Sequence, residues 1–131
     1  MQYDLNKNFE ISLNNDQVKV EYTPEEDNSL NIVHVVFYYK DKEAEKIRNN
    51  IGIKYSKEEI ELYYDGLRNF YPKCLLPFIP NIENGYKFWI YSERNNLRMF
   101  FEYEAMNEET FYELMKQIEN EFGVKSIKYY N

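Results

Sequence analysis

Cysteine is nearly absent from this 131-residue chain. With Cys74 alone no internal disulfide forms, and a reducing, intracellular, cytoplasmic setting is expected. One histidine, His34, beside that one cysteine falls short of any zinc-ligand set, so no metal site is expected. Four glycines (Gly52, Gly66, Gly85, Gly123) are too few and too scattered for a phosphate loop or a dinucleotide fingerprint. Neither a G-x-S-x-G elbow nor an H-E-x-x-H pair occurs, so no catalytic residue and no cofactor follows from a motif. The longest mainly apolar runs, IVHVVFYY and CLLPFIP, stop far short of the roughly 20 residues of a membrane helix. The opening MQYDLNKNFE has neither a basic n-region nor an apolar h-region, so no secretory signal is expected.

Aromatic residues, by contrast, are abundant. The 14 Tyr and 9 Phe, within a hydrophobic content of 44%, supply an aromatic-rich core and argue against disorder. The length suits one globular domain over residues 1–131. The net charge is -7 and unevenly placed. Between 102 and 121 stand seven acids (Glu102, Glu104, Glu108, Glu109, Glu113, Glu119, Glu121) against one base, Lys116. Such a surface repels phosphate backbones and attracts a basic protein, so nucleic-acid binding is disfavoured.

The stretch YKFWIYSERNNLRMFFEYE, residues 86–104, reads as a hairpin. Placing Asn95 and Asn96 at the centre of a tight turn, where Asn tolerates positive φ, pairs Arg94 with Leu97. One face then carries Phe88 opposite Tyr103, Ile90 opposite Phe101 and Ser92 opposite Met99. The other carries Lys87 opposite Glu104, Trp89 opposite Glu102, Tyr91 opposite Phe100 and Glu93 opposite Arg98. The chain's beginning repeats the pattern, with a turn over Asn15 and Asp16 that sets Leu13, Ile11 and Phe9 against Val18, Val20 and Tyr22. That register also opposes Glu10 and Glu21, a destabilising like-charge pair unless solvent screens it or a basic group docks there.

Residues 30–40 alternate between two apolar faces, as a strand covered on both sides does, and His34 is expected as a hydrogen-bonded core histidine on one of them. A short helix over 41–51 follows, with Ala44, Ile47 and Ile51 on one stripe and Gly52 as its stop. Ser56 and Glu59 form a capping box, and Ile60, Tyr63, Tyr64, Leu67, Phe70 and Tyr71 fall at helical spacing, predicting a second helix over 57–71. Three prolines, Pro72, Pro77 and Pro80, make 72–81 an extended loop over the core, with Cys74 buried in it. Asn107 N-caps a third helix carrying Phe111, Leu114, Met115, Ile118 and Phe122, ended by Gly123. VKSIKYY closes the chain as an edge strand with Lys125 and Lys128. The expected fold is α+β, a largely antiparallel sheet of about six strands with two or three helices, in the order βββ-αα-ββ-α-β.

Function is expected to reside in a surface. Trp89, Tyr91 and Phe100 with Glu102 on the hairpin, and Glu109, Tyr112 and Glu113 on the last helix, are the candidate partner-binding residues. A second core, formed where the 57–71 helix lies over the hairpin aromatics, is the competing reading of the first group. The expected partner is a basic protein, neutralised or regulated in the manner of an immunity protein or a phage-encoded inhibitor. The alternative is a small-ligand domain or an enzyme with a pocket under the Pro-rich loop, lined by aromatics with His34 or Cys74. Self-association into a homodimer, through the Trp89 cluster or the C-terminal strand, is a further option.

Overall fold

The computed structural model describes residues 2–24, 31–51, 58–63, 80, 82, 86–104 and 107–130, with the backbone alone for 51 and 58–63. Among the described residues seven strands form one sheet: β1 (Asn8–Leu13), β2 (Val18–Thr23), β3 (Ile32–Lys40), β4 (Glu58–Tyr63), β5 (Lys87–Ser92), β6 (Asn96–Glu104) and β7 (Val124–Tyr130). Helix α1 (Asp41–Ile51) follows β3, and helix α2 (Glu108–Phe122) joins β6 to β7. The spatial order is β4-β5-β6-β3-β2-β1-β7, and every neighbouring pair is antiparallel.

The fold is α+β, with one difference in element order. Residues 58–63 form strand β4 on the sheet edge, paired with β5 from Glu58↔Ser92 to Tyr63↔Lys87, and are not the start of a helix. The sequence E-E-I-E-L-Y satisfies both periods, since Ile60 and Leu62 alternate with Glu59 and Glu61, while Ile60 and Tyr63 also stand at helical spacing. Free β5 backbone groups favour the strand, because each must find a partner. The remainder of the expected helix, the capping Ser56 and most of the Pro-rich loop with Cys74 lie outside the described residues.

One face of the sheet is the core. Phe9, Ile11, Leu13, Val20, Tyr22, Val33, Val35, Phe37, Phe88, Ile90, Met99, Phe101 and Tyr103 are buried there with Ala44 and Ile47 of α1 and Phe111, Leu114, Met115 and Ile118 of α2. Burying such side chains stabilises by roughly 1.5–3 kcal/mol each. The α2 caps are local. The Asn107 side chain accepts the Thr110 N–H at 2.8 Å, and the N–H of Gly123, at φ 75, returns to Glu119 O. The Gly123 carbonyl accepts the Asn14 N–H at 2.9 Å, tying the end of α2 to the β1–β2 turn.

The β1–β2 register is the expected one, with Phe9↔Tyr22, Glu10↔Glu21 and Ile11↔Val20. The β5–β6 register is displaced by two residues: Phe88 faces Phe101, Trp89 faces Phe100, Ile90 faces Met99 and Tyr91 faces Arg98. Its turn is centred on Arg94 and Asn95, with the Glu93 N–H donating to Asn96 O at 2.8 Å. Among the described non-glycine residues Asp41 has the positive φ, so the turn does not use the Asn property that suggested the other centre. Groups distant in sequence hold it instead. Buried Arg48 of α1 donates to the carbonyls of Glu93 at 2.9 Å and Arg94 at 3.0 Å, and the Asp41 N–H donates to Asn95 O at 2.9 Å.

Candidate functional sites on the outer sheet face and helix α2

The second face of the sheet is covered by neither helix, and its side chains fall into rows across the strands. One row reads Lys87, Glu102, His34, Glu21, Glu10, Lys128 from β5 to β7; the next reads Trp89, Phe100, Val36, Lys19, Ser12, Ser126. His34 therefore stands on the outer face, half-buried, and is not a core residue. The helices cover the Val33, Val35 and Phe37 side of β3, and on the opposite side Val36 is fully buried.

His34 Nε2 donates to Glu102 Oε1 at 2.8 Å, a partner 68 residues away that no local spacing reveals. Burial, followed by the hydrogen bond with Glu104, raises the Glu102 carboxyl against the opposing pull of His34. Its hydrogen bonds with Glu102 and with Lys87, whose Nζ lies 2.9 Å away, hold Glu104 below the usual carboxylate value. The four groups form one network of side chains within the sheet, with Lys87 reaching both carboxyls, Glu104 at 2.9 Å and Glu102 at 3.8 Å. A His–Glu pair can move a proton, but among the described residues no hydroxyl or thiol is hydrogen-bonded to His34 to act as a nucleophile.

The aromatic cluster is joined in the same way. Trp89 and Phe100 stack with centroids 5.1 Å apart and planes at 9°, while His34 meets Trp89 edge-on at 5.6 Å. The Arg98 guanidinium lies 4.6 Å from the Tyr91 centroid and 5.6 Å from that of Phe100. Trp89, Tyr91 and Phe100 are each half-buried. The opposition of Glu10 and Glu21 is relieved from within the chain. Lys19 Nζ sits 2.5 Å from Glu10 Oε1, and the Tyr130 hydroxyl donates to Glu10 Oε2 at 2.7 Å.

Helix α2 presents a different surface. Glu108, Glu109, Glu113 and Glu121 are exposed, and none has a salt bridge among the described residues. Glu119 accepts the Tyr3 hydroxyl at 2.9 Å. Tyr112 is half-buried and its oxygen accepts the Tyr3 N–H at 3.0 Å, so it braces the N-terminal segment.

The expected partner-binding residues thus fall into two groups. Trp89, Tyr91, Phe100 and Glu102 stand on the outer sheet face, and Glu109 and Glu113 stand on a helix packed against the opposite face. No single flat partner covers both groups. The described part of the Pro-rich segment, Pro80, is on the core side, where its carbonyl accepts the Tyr103 hydroxyl at 2.7 Å, away from His34. Among the described residues no group of three or more His, Cys, Asp or Glu side chains could hold a metal, and no helix is long and apolar enough to cross a membrane. Compared with protein-family models, with curated proteins and with solved structures, the chain matches none.

Proposed function

We propose that this chain is a small cytoplasmic binding protein that neutralises or regulates a basic protein, as immunity proteins and phage-encoded inhibitors do, with α2 as the docking element. The observation that carries this reading is the set of exposed Glu108, Glu109, Glu113 and Glu121 on α2, none with a salt bridge among the described residues, whereas Glu10 and Glu104 pair with lysines and Glu102 with His34 and Lys87 within the sheet. Unmatched surface carboxylates speed encounter with a basic partner and make association salt-dependent. The test is affinity capture from lysate of the source cells at low and high salt, with the double variant Glu109→Lys, Glu113→Lys beside the unaltered chain. One basic protein retained in near-equal amount at low salt, weakened by high salt and lost from the variant, is the expected result. Equal retention by both chains would remove the helix from the proposal.

The His34–Glu102 pair beside Trp89 and Phe100 favours a second reading, a small-ligand site on the outer sheet face. A ligand that raises the thermal midpoint of the unaltered chain but not of a folded His34→Ala variant would support it.

A further inference from the structure

On the outer sheet face, the row beside Trp89 and Phe100 holds in register Glu59, Tyr91, Arg98 and Tyr38, from β4 to β3. Arg98 is half-buried, and the rings of Tyr91 and Phe100 lie 4.6 and 5.6 Å from its guanidinium. Such rings hold a long side chain in one place and cover its apolar stem. Among the described residues Arg98 nevertheless has no hydrogen bond and no salt bridge, even with Glu93 of the adjoining turn. Lys19 and Lys87 on the same face each have a carboxylate. Tyr38, the residue opposite Arg98 on β3, also has no hydrogen bond among the described residues. Burial and then Glu21 hold its phenol above the ordinary value against the pull of Lys19 and Arg98, so it stays protonated and can donate.

A guanidinium is all donor, and its planar fork matches a carboxylate in two parallel bonds. The phenol on the neighbouring strand adds a third donor to the same place. Charge decides which oxyanion suits it. The chain carries -7, and Glu21 and Glu10 both act on Tyr38, so a singly charged carboxylate meets less repulsion than a doubly charged phosphate. The stacked rings of Trp89 and Phe100 in the next row offer an apolar group on that carboxylate a surface to lie against. We propose that Arg98 and the Tyr38 hydroxyl bind the carboxylate of a small aromatic acid, whose ring rests on Phe100 and Trp89. This site is separate from the His34–Glu102 pair, because Tyr38 stands four residues, about 13 Å, beyond His34 along β3.

Trp89 is the single tryptophan, so its fluorescence reports on this face. Titration of the full chain with benzoate at constant ionic strength is expected to give a saturable change, with acetate and phenyl phosphate each binding more weakly. Arg98→Met, which keeps the stem over the rings, should weaken benzoate binding roughly ten- to hundredfold, and Arg98→Lys, which keeps the charge without the fork, should recover only part. Tyr38→Phe removes one donor and should cost roughly tenfold. Thermal midpoints of each variant control for folding. His34→Ala should leave benzoate binding in place. A folded His34→Ala chain that loses benzoate would put the ligand at the His34–Glu102 pair and overturn this assignment. The absence of a saturable change overturns it too, as does an affinity that Arg98→Met or Tyr38→Phe leaves unmoved, or a tighter fit for phenyl phosphate than for benzoate.

Discussion

Glu10 is flanked by both signs of charge, and the balance can be read at this one carboxylate. Burial alone would raise it, but hydrogen bonds from Lys19 and Tyr130, with Lys128 nearby, together hold it below its usual 4.5. A carboxyl whose folded value lies below its unfolded one contributes stability that is present above the unfolded value and lost as pH falls through the folded one. Glu10→Gln is therefore expected to cost on the order of 1 kcal/mol at neutral pH and to flatten the acid limb below about 4.5. Urea titrations at neutral and strongly acidic pH measure both effects. Ser92 presents the opposite case. It lies on the core face with no exposed surface, and among the described residues its Oγ has no hydrogen-bond partner. Removing an unsatisfied buried hydroxyl relieves a desolvation cost, so Ser92→Ala is expected to raise stability by up to about 1 kcal/mol, read as a higher denaturant midpoint.

The strands and helices differ in how much of each was legible, and the difference follows the sequence distance of what fixes them. The β1–β2 register could be read because its turn is made locally, the Asn15 side chain accepting the Gln17 N–H at 2.9 Å. The α2 boundaries could be read because Asn107 and Gly123 cap it within the chain's own next turn. The β5–β6 register could not, since Arg48 and Asp41 hold its turn from α1. The assignment of side chains to faces survived nonetheless, because a displacement of two residues preserves alternation. Residues 58–63 satisfied both periods, and only pairing with β5 decides between them. His34 and Glu102 meet through the β3–β6 pairing, so the contact is invisible along the chain. The Arg48 clamp has a measurable weight. Arg48→Ala leaves two turn carbonyls without a charged donor and is expected to cost about 3 kcal/mol. Arg48→Lys, which cannot span both carbonyls as a fork, should recover only part of it. Denaturation midpoints of the two variants decide this.

Across the whole molecule, charge is divided by face. On the outer sheet face Glu10, Glu102 and Glu104 pair with Lys19, His34 and Lys87, so these groups serve the sheet. Helix α2 holds five acids against one base; Glu119 accepts the Tyr3 hydroxyl, while Glu108, Glu109, Glu113 and Glu121 are exposed without a salt bridge among the described residues. Glu109 favours the first turn of the helix dipole by about 0.3–1 kcal/mol but repels Glu113 at i, i+4 by about 0.2–0.5 kcal/mol. Glu113 in turn stands three residues before Lys116, so in the double variant Glu109→Lys, Glu113→Lys that weak attraction becomes a repulsion while the repulsion between 109 and 113 persists. The lost dipole interaction adds to this, and each contribution is small. The double variant is expected to lose about 1–2 kcal/mol of folding free energy, less at high salt, in urea denaturation at low and high ionic strength. A loss of several kcal/mol more would mean that these carboxylates hold the helix in place. A small loss of stability together with lost capture of the basic protein by the folded variant would separate binding from folding on this surface.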